Sequence, residues 1–290
     1  MLTKNGWIFF KLLLNKHIPA NQEARLALLS EEEQKEVSLY PFTSKNPALL
    51  LYPELAWLEH IHYSWLEESI KSFPSALLPA LTLALPRELQ TGLAKLKIIT
   101  LPEGAPAFAP GVKNFLLGHF YATWKDKDVL PCALLPKSPL SPLLECTKAE
   151  LVKIVDMLAM HDLSLEVRHI VDKKILHALI ATLSSSQQKY LRSCLHQKSK
   201  TATLPLNAKE VYKDRKAFLT LLHRRGLKRF SLAFIGSHPD LIWHITHTLD
   251  IGRGKIILNS ITQEDVMQAS PVVQMEILQI IQLLKTKEAS

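Results

Sequence analysis

Residues 147–158 have the sequence TKAELVKIVDML, which contains both the start and the buried face of a helix. Thr147 and Glu150 form a capping-box pattern, in which each side chain accepts a hydrogen bond from the other residue's backbone N–H. The apolar residues that follow recur every three or four positions, which is the spacing of one helix face. They are Leu151, Ile154, Val155 and Leu158. This stretch predicts a helix that begins directly after Thr147.

Helical spacing continues through the rest of the second half. The further apolar stripes are Ile175, Leu176, Leu179 and Leu183; Tyr190, Leu191, Cys194 and Leu195; Val211, Phe218, Leu219 and Leu222; and Leu241, Ile242, Ile245 and Leu249. For the third stripe we predict a cap at Asn207 with Glu210 and a helix end with Gly226 at the C′ position. The tail from Thr262 to Lys285 predicts a short helix, a break before Pro271 and a final helix.

Strand signals are weak in this sequence. Residues 97–101 and 255–258 are short β-like runs, and neither has a hairpin partner. The chain of 290 residues has only 9 glycines, whereas average usage would give roughly 20. So few glycines argue against folds with many tight βα turns, such as doubly wound sheets and TIM barrels. The sequence therefore predicts a mainly α protein, a compact array of short helices.

Composition also excludes several classes of protein. A hydrophobic content of 47% excludes a disordered chain. The longest apolar stretch without charge, residues 72–86, contains three prolines and is shorter than the ~20 residues of a membrane-spanning helix. The three cysteines, Cys132, Cys146 and Cys194, include no CxxC pair. This pattern argues against structural zinc and a disulfide framework, and it favours reduced thiols in the cytoplasm.

Charge and proline divide the chain into two different halves. Residues 1–146 carry 14 Lys and Arg against 14 Asp and Glu, and residues 147–290 carry 21 against 13, which is the whole net charge of +8. Seven of the 17 prolines lie between Pro102 and Pro142. Because proline removes a backbone donor and fixes φ, this stretch predicts irregular structure. We therefore predict two helical subdomains, 1–98 and 147–290, with a packed Pro-rich connector at 99–146.

No motif in the sequence points to catalysis, a cofactor or a metal. The segment Gly252–Lys255 lacks the P-loop spacing and its hydroxyl residue, so we interpret it as a helix-terminating turn. His244 and His247 stand three apart on a predicted helix, but without a HExxH pattern they are expected to be satisfied or exposed histidines. Glu59, His60 and His62 have the same interpretation. We therefore predict a protein that is not an enzyme and has no cofactor and no metal.

The most basic part of the chain is residues 209–229, with eight Lys and Arg against Glu210 and Asp214. Within it four cations cluster around a predicted helix end, where positive charge is favoured by the helix dipole. They are Arg224, Arg225, Lys228 and Arg229. Three interpretations stay open: a solvated helix face, a surface for an acidic protein partner, or a surface for nucleic acid or lipid.

One stretch of the first half has an unusual pattern. Residues 60–86, HIHYSWLEESIKSFPSALLPALTLALP, place an aromatic-rich helix start before proline-punctuated Leu and Ala runs. The block formed by His62, Ser64, Trp65 and Leu66 resembles the histidine–x–serine–tryptophan–leucine block of the SctK (YscK-like) family, with Tyr63 where the family pattern has proline. Residues 223–258 also have the character of chlamydial-type secretion proteins. Members of the SctK family are accessory components of the bacterial type III secretion sorting platform.

This resemblance implies a cytoplasmic, non-enzymatic adaptor at the inner membrane. It would join the cytosolic part of the inner-membrane ring protein to the SctQ-type pod protein, and SctL and the ATPase would be reached indirectly. The block His62, Ser64, Trp65 and Leu66 and the basic cluster then become candidate partner-binding residues. The alternative function is a helical nucleic-acid-binding protein that uses the basic segment 209–229, although no known nucleic-acid-binding module is present.

Overall fold

The computed structural model describes residues 4–17, 22–38, 58, 60–100, 108–124, 129–196, 213–263 and 270–288. Within these ranges all regular structure is helical, with 14 α-helices, three 3₁₀ helices and no strand, so the mainly α prediction is confirmed. The α-helices are α1 (Lys4–His17), α2 (Gln22–Leu26), α3 (Glu31–Ser38), α4 (Glu67–Lys71), α5 (Leu78–Ala84), α6 (Arg87–Lys95), α7 (Pro110–Thr123), α8 (Lys148–Val167), α9 (Lys173–Thr182), α10 (Ser185–His196), α11 (Arg215–Leu232), α12 (Pro239–Thr248), α13 (Ile251–Gln263) and α14 (Ser270–Glu288). The 3₁₀ helices are Tyr63–Trp65, Cys132–Leu134 and Ser141–Glu145.

The chain forms two compact units that do not follow the predicted boundaries. Unit 1 contains Met1–Ser138 and His238–Ile251, and unit 2 contains Pro139–Ser237 and Gly252–Ser290. The predicted connector 99–146 is therefore not a separate element. Its residues are divided between the units because their apolar side chains are buried: Phe120 is fully covered in unit 1, and Leu140 in unit 2.

The core of unit 1 is assembled by α4 to α7 and the 3₁₀ helix Tyr63–Trp65. Its most deeply buried side chains include Leu66, Ile70, Leu81, Leu93, Leu117 and Phe120. Helix α6 lies very close to the 3₁₀ helix, since a Cβ on Gly92 would be 2.0 Å from the Tyr63 ring. This close approach requires glycine at position 92. The Leu and Ala runs of residues 60–86 thus supply core packing for unit 1.

Helix α8 is the central element of unit 2. The predicted capping box is present: Thr147 N donates to Glu150 Oε2 at 2.6 Å, and Glu150 N donates to Thr147 Oγ1 at 3.3 Å. Twelve of the 20 residues of α8 are buried, on every side of the helix. A helix that is covered all round forms the middle of a helical core, and α10, α11 and α14 pack against this one.

The predicted end of the basic helix at Gly226 is wrong. Helix α11 begins after Asp214, whose side chain accepts hydrogen bonds from Lys216 N and Ala217 N, and it continues through Gly226 to Leu232. A Cβ on Gly226 would lie 2.1 Å from the backbone oxygen of Val155. Gly226 therefore allows α11 to cross α8 at close range rather than ending the helix. The predicted cap at Asn207 and Glu210 lies outside the described residues.

The two β-like runs are not strands where the structure describes them. Residues 97–100 follow α6, where Lys97 adopts a left-handed φ of 58° and Ile98 N donates to Leu93 O at 3.1 Å, closing the helix end. Residues 255–258 belong to α13, in which Ile257 is fully buried. Because α13 starts at Ile251, the predicted turn at Gly252–Lys255 is helical instead. Four apolar residues in a row are too few to distinguish a strand from a helix.

Candidate interaction surfaces

The block that carries the family resemblance forms the capped 3₁₀ helix of unit 1. His62 caps the 3₁₀ helix, and its Nδ1 accepts from Ser64 N at 3.3 Å and lies 2.9 Å from Ser64 Oγ. Leu66, the next residue, is fully buried in the core of unit 1. Its predicted role in partner binding is therefore wrong, because a side chain with no exposed surface cannot contact a partner. His62, Ser64 and Trp65 are half-buried.

These half-buried residues hold the C-terminal end of α12 within unit 1. His62 N donates to His247 O at 2.7 Å, and Trp65 Nε1 donates to Leu249 O at 2.9 Å. Ser64 Oγ accepts from Ile251 N at 2.9 Å. The last carbonyls of a helix have no partner within that helix, and here the block provides donors for them. Through these hydrogen bonds the block connects residues 62–65 to residues 247–251 inside unit 1.

Histidines of α12 complete this arrangement. The ring of His247 lies between Trp65 and Trp243, with ring centroids 4.0 Å away on both sides, and its Nδ1 is 2.8 Å from Trp243 O. His244 Nε2 lies 2.6 Å from Leu130 O, and burial lowers the pKa of this imidazole. Both rings contact backbone carbonyls. Among the residues that the structure describes, no group of His, Cys, Asp and Glu is arranged to hold a metal ion.

The basic helix α11 has a buried side that the charge count does not reveal. Arg229 is fully buried, and its guanidinium forms a bidentate pair with Glu276 of α14, with N–O distances of 2.9 and 2.8 Å. Its third contact is to Asp162 Oδ1 of α8 at 2.6 Å. One arginine thus joins the carboxylates of two neighbouring helices. Bidentate arginine–carboxylate pairs are among the strongest hydrogen-bonded contacts in proteins.

Arg225 lies one turn before Arg229 and faces the same carboxylate. Its side chain is 13% exposed, and its Nε is 3.3 Å from Asp162 Oδ2. The predicted partner-binding roles of Arg225 and Arg229 are therefore corrected, because both side chains neutralise buried carboxylates. The sequence contains the signal for this: Asp162 interrupts the apolar face of α8, and Glu276 interrupts that of α14.

Three of the other cations of α11 form an exposed stripe on a different side of the helix; Arg215, at its first position, is exposed outside this stripe. Lys216, Arg224 and Lys228 are exposed and stand four or eight residues apart, so they occupy one helix face together with Thr220. Since Arg225, Arg229, Asp162 and Glu276 sum to zero charge, the +8 of residues 147–290 comes from other side chains. We call Lys216, Thr220, Arg224 and Lys228 the cationic stripe.

A second polar group is buried beside Glu276. His161 Nε2 lies 2.9 Å from the Tyr190 hydroxyl, and His161 Nδ1 lies 3.4 Å from Glu276 Oε1. Burial lowers the pKa of His161 to about 4, an effect that Arg229 adds to and Glu276 opposes. Burial also raises the pKa of the Cys194 thiol to about 12. At neutral pH the imidazole is therefore neutral and the thiol is protonated, so Cys194 is not an activated nucleophile.

Acidification is expected to destabilise unit 2 through His161. Its pKa in the folded state lies below the unfolded value of ~6.5, so the unfolded chain binds more protons and stability falls as pH drops from about 6.5 towards 4. Between pH 7.5 and 5 this amounts to about 2 kcal/mol of unfolding free energy. Urea titrations of the wild type and of His161→Gln at both pH values measure this loss of unfolding free energy. An equal loss in both proteins would contradict the assignment.

Comparisons with known proteins identify no similar protein. No protein-family model, no curated protein and no solved structure matches this chain. Within the described ranges, no helix is long and apolar enough to cross a membrane. Function is therefore inferred from the chemistry of the chain's own surfaces and from the block at His62–Leu66.

Proposed function

We propose that the chain is a non-enzymatic adaptor at the cytoplasmic face of a bacterial type III secretion apparatus. In this role it joins the cytosolic part of the inner-membrane ring protein to the SctQ-type pod protein of the sorting platform. Such an adaptor needs partner-binding faces on a stable helical body and needs no reaction centre.

The observation that carries the proposal is the architectural role of the resembling block. Trp65 and Ser64 bond to Leu249 and Ile251, more than 180 positions along the chain, and Leu66 is a core residue. A short block that organises a fold in this way is a signature of that fold rather than of a local surface. Its similarity to the SctK block therefore supports a shared helical body, and the partner surfaces have to lie elsewhere.

Each unit offers an exposed face of different chemistry for a partner. In unit 1, Phe115 and Val112 of α7 are 70% and 46% exposed, and the Phe115 ring stacks on His119 at 6.3 Å. In unit 2 the exposed face is the cationic stripe. Large exposed apolar side chains and located charge are both features of interaction surfaces, so two faces of this kind suit a protein that joins two partners.

Two surface variants test the proposal. We expect the tagged full-length chain to retain the purified pod protein and the cytosolic part of the ring protein. Arg224→Glu/Lys228→Glu is expected to reduce retention of one of them at least tenfold and to spare the other, because only these two members of the basic cluster are exposed. Phe115→Asp is expected to weaken the other partner.

The matched control is Lys173→Glu/Lys174→Glu, which makes the same charge change at exposed positions of α9. It should leave both partners bound, because a surface charge outside an interface contributes little to affinity. Far-UV circular dichroism shows that each variant is folded. If the unmodified chain retains neither platform protein, the proposed adaptor role is wrong.

A further inference from the structure

We propose that the cationic stripe of α11 is a docking surface for an acidic, amphipathic segment of a partner protein. The inference rests on the proposed function in one respect: it states the chemistry of one of the adaptor's partners. The surface itself lies wholly within unit 2 and is defined by described residues. It can therefore be tested without any platform protein.

The first argument is the separation of charge on α11. Arg225 and Arg229 are occupied by Asp162 and Glu276, whereas Arg224 and Lys228 extend into solvent one position away from each of them. The described part of the chain gives Arg224 and Lys228 no ion pair. Exposed cations in a row carry a positive potential that attracts an oppositely charged partner.

The second argument is the spacing of the cations. Lys216 and Lys228 are twelve residues apart, which is about 18 Å along the helix axis, and Arg224 lies between them about 6 Å from Lys228. A partner helix with carboxylates at every fourth position repeats the same intervals. Because positions four apart advance by about 40° around a helix, two rows of this kind meet over part of their length, and the partner can place carboxylates near Arg224 and Lys228 together.

The third argument is the composition of the surface beside the stripe. A shallow depression of about 470 Å³ opens along this part of α11. The described residues that line it are Asp214, Lys216, Ala217, Thr220, Leu221 and Arg224. Ala217 and Leu221 give the depression an apolar part, so a partner that also carries a small apolar face buries more surface there.

The same lining distinguishes a protein partner from nucleic acid. A phosphate backbone that followed the stripe would leave Ala217 and Leu221 without an apolar contact. An acidic helix with aliphatic side chains between its carboxylates can cover these apolar groups while it pairs with the cations. The combination of cations and aliphatic carbon therefore favours an amphipathic protein segment.

The test measures peptide binding to the full chain by fluorescence anisotropy. The probe is a labelled 18-residue peptide of Glu, Leu and Ala, with Glu at every fourth position and Leu beside it. Its control has Gln in place of Glu, and a labelled 20-base-pair DNA duplex is the third probe. The proteins are the wild type, Arg224→Glu/Lys228→Glu, Leu221→Asp and the charge control Lys173→Glu/Lys174→Glu.

We expect the acidic peptide to bind the wild type at least tenfold more tightly than the Gln peptide. Arg224→Glu/Lys228→Glu should weaken that binding at least tenfold and Leu221→Asp at least threefold, while Lys173→Glu/Lys174→Glu should change it less than twofold. Circular dichroism confirms that the variants fold. If the stripe variant and the control variant lose equal affinity for the acidic peptide, the proposed docking surface is wrong, because net charge alone would then explain the binding.

Tighter binding of the duplex than of the peptide, lost in the same stripe variant, would overturn the protein partner in favour of nucleic acid. The salt dependence then gives the number of phosphate contacts. Failure of this inference is distinguishable from failure of the proposed function. If the chain retains both platform proteins but does not bind the peptide, the docking role of the stripe is wrong and the adaptor role stands. If the chain binds the peptide through the stripe but retains neither platform protein, the adaptor role is wrong and the docking role stands.

Discussion

Replacing Arg229 by methionine is expected to destabilise unit 2 by about 3–5 kcal/mol. The substitution keeps much of the apolar volume of the side chain but removes the guanidinium that binds Asp162 and Glu276. Asp162 would then keep only its contact with Arg225 and Glu276 its contact with the neutral His161, and an uncompensated buried charge is very costly. The measurement is the free energy of unfolding from urea titrations followed by far-UV circular dichroism.

Arg224→Met is the matched control, because it is the same substitution on the same helix at an exposed position. We expect a change within about 0.5 kcal/mol for it. Fluorescence locates the effect, since all five tryptophans belong to unit 1. A loss of helix signal in Arg229→Met that precedes any tryptophan change places the damage in unit 2.

A second comparison separates the burial of charge from the loss of packing. The triple variant Arg229→Met/Asp162→Asn/Glu276→Gln removes the arginine and both carboxylate charges together. It should recover part of the stability that Arg229→Met loses, because neither carboxylate charge then lies in the interior without a guanidinium partner. The recovery is only partial, because Arg225, which is 13% exposed, loses its ion pair with Asp162. If the triple variant is less stable than the single one, the cost comes from packing and the assigned role of the charge is wrong.

The parts of the fold that depend on neighbouring residues were predictable from the sequence. The capping box at Thr147 and Glu150 involves atoms three residues apart, and it is present as predicted. Helical spacing predicted the mainly α class for the same reason. The periodic apolar face determines a helix of this kind, and that periodicity can be read from the order of the residues.

The parts that depend on distant residues were not predictable. The local pattern predicts an exposed cation at Arg229, and the carboxylates of Glu276 and Asp162, 47 and 67 positions away, make it an internal residue. The hydrogen bonds between the block at His62 and residues 247–251 join segments that are more than 180 positions apart in the sequence. Charge counts and spacing give no register between such segments, so the predicted domain boundaries missed that residues 238–251 belong to unit 1.

Gly226 shows how the same residue type has opposite meanings in two contexts. Glycine near the end of a basic helical stretch is a common helix terminator, and that local rule predicts an end at Gly226. In the structure the missing side chain serves a close helix crossing instead, with the Val155 carbonyl where a Cβ would be. A terminating glycine would have a left-handed backbone, whereas Gly226 is helical, so the cost of alanine here comes from the contact with the Val155 carbonyl rather than from backbone strain.

Gly226→Ala is accordingly expected to destabilise unit 2 by about 2 kcal/mol. The added methyl group would lie 2.1 Å from a backbone oxygen, which cannot rotate away as a flexible side chain can, and overpacking of this kind costs about 1–3 kcal/mol or more. The higher helix propensity of alanine, worth up to about 1 kcal/mol, opposes only part of this cost. Urea unfolding followed by circular dichroism gives the difference.

The control is Gly111→Ala on α7, where a Cβ would have no atom within 4 Å. There alanine only restricts the unfolded chain and favours the helix, so we expect a gain of about 0.5–1 kcal/mol. The two variants make the same chemical change and should move stability in opposite directions. A gain for Gly226→Ala equal to that for Gly111→Ala would mean that α11 and α8 do not cross closely. The position of Arg225 and Arg229 against Asp162 would then lose its geometric basis, because that crossing brings the arginine side of α11 onto α8.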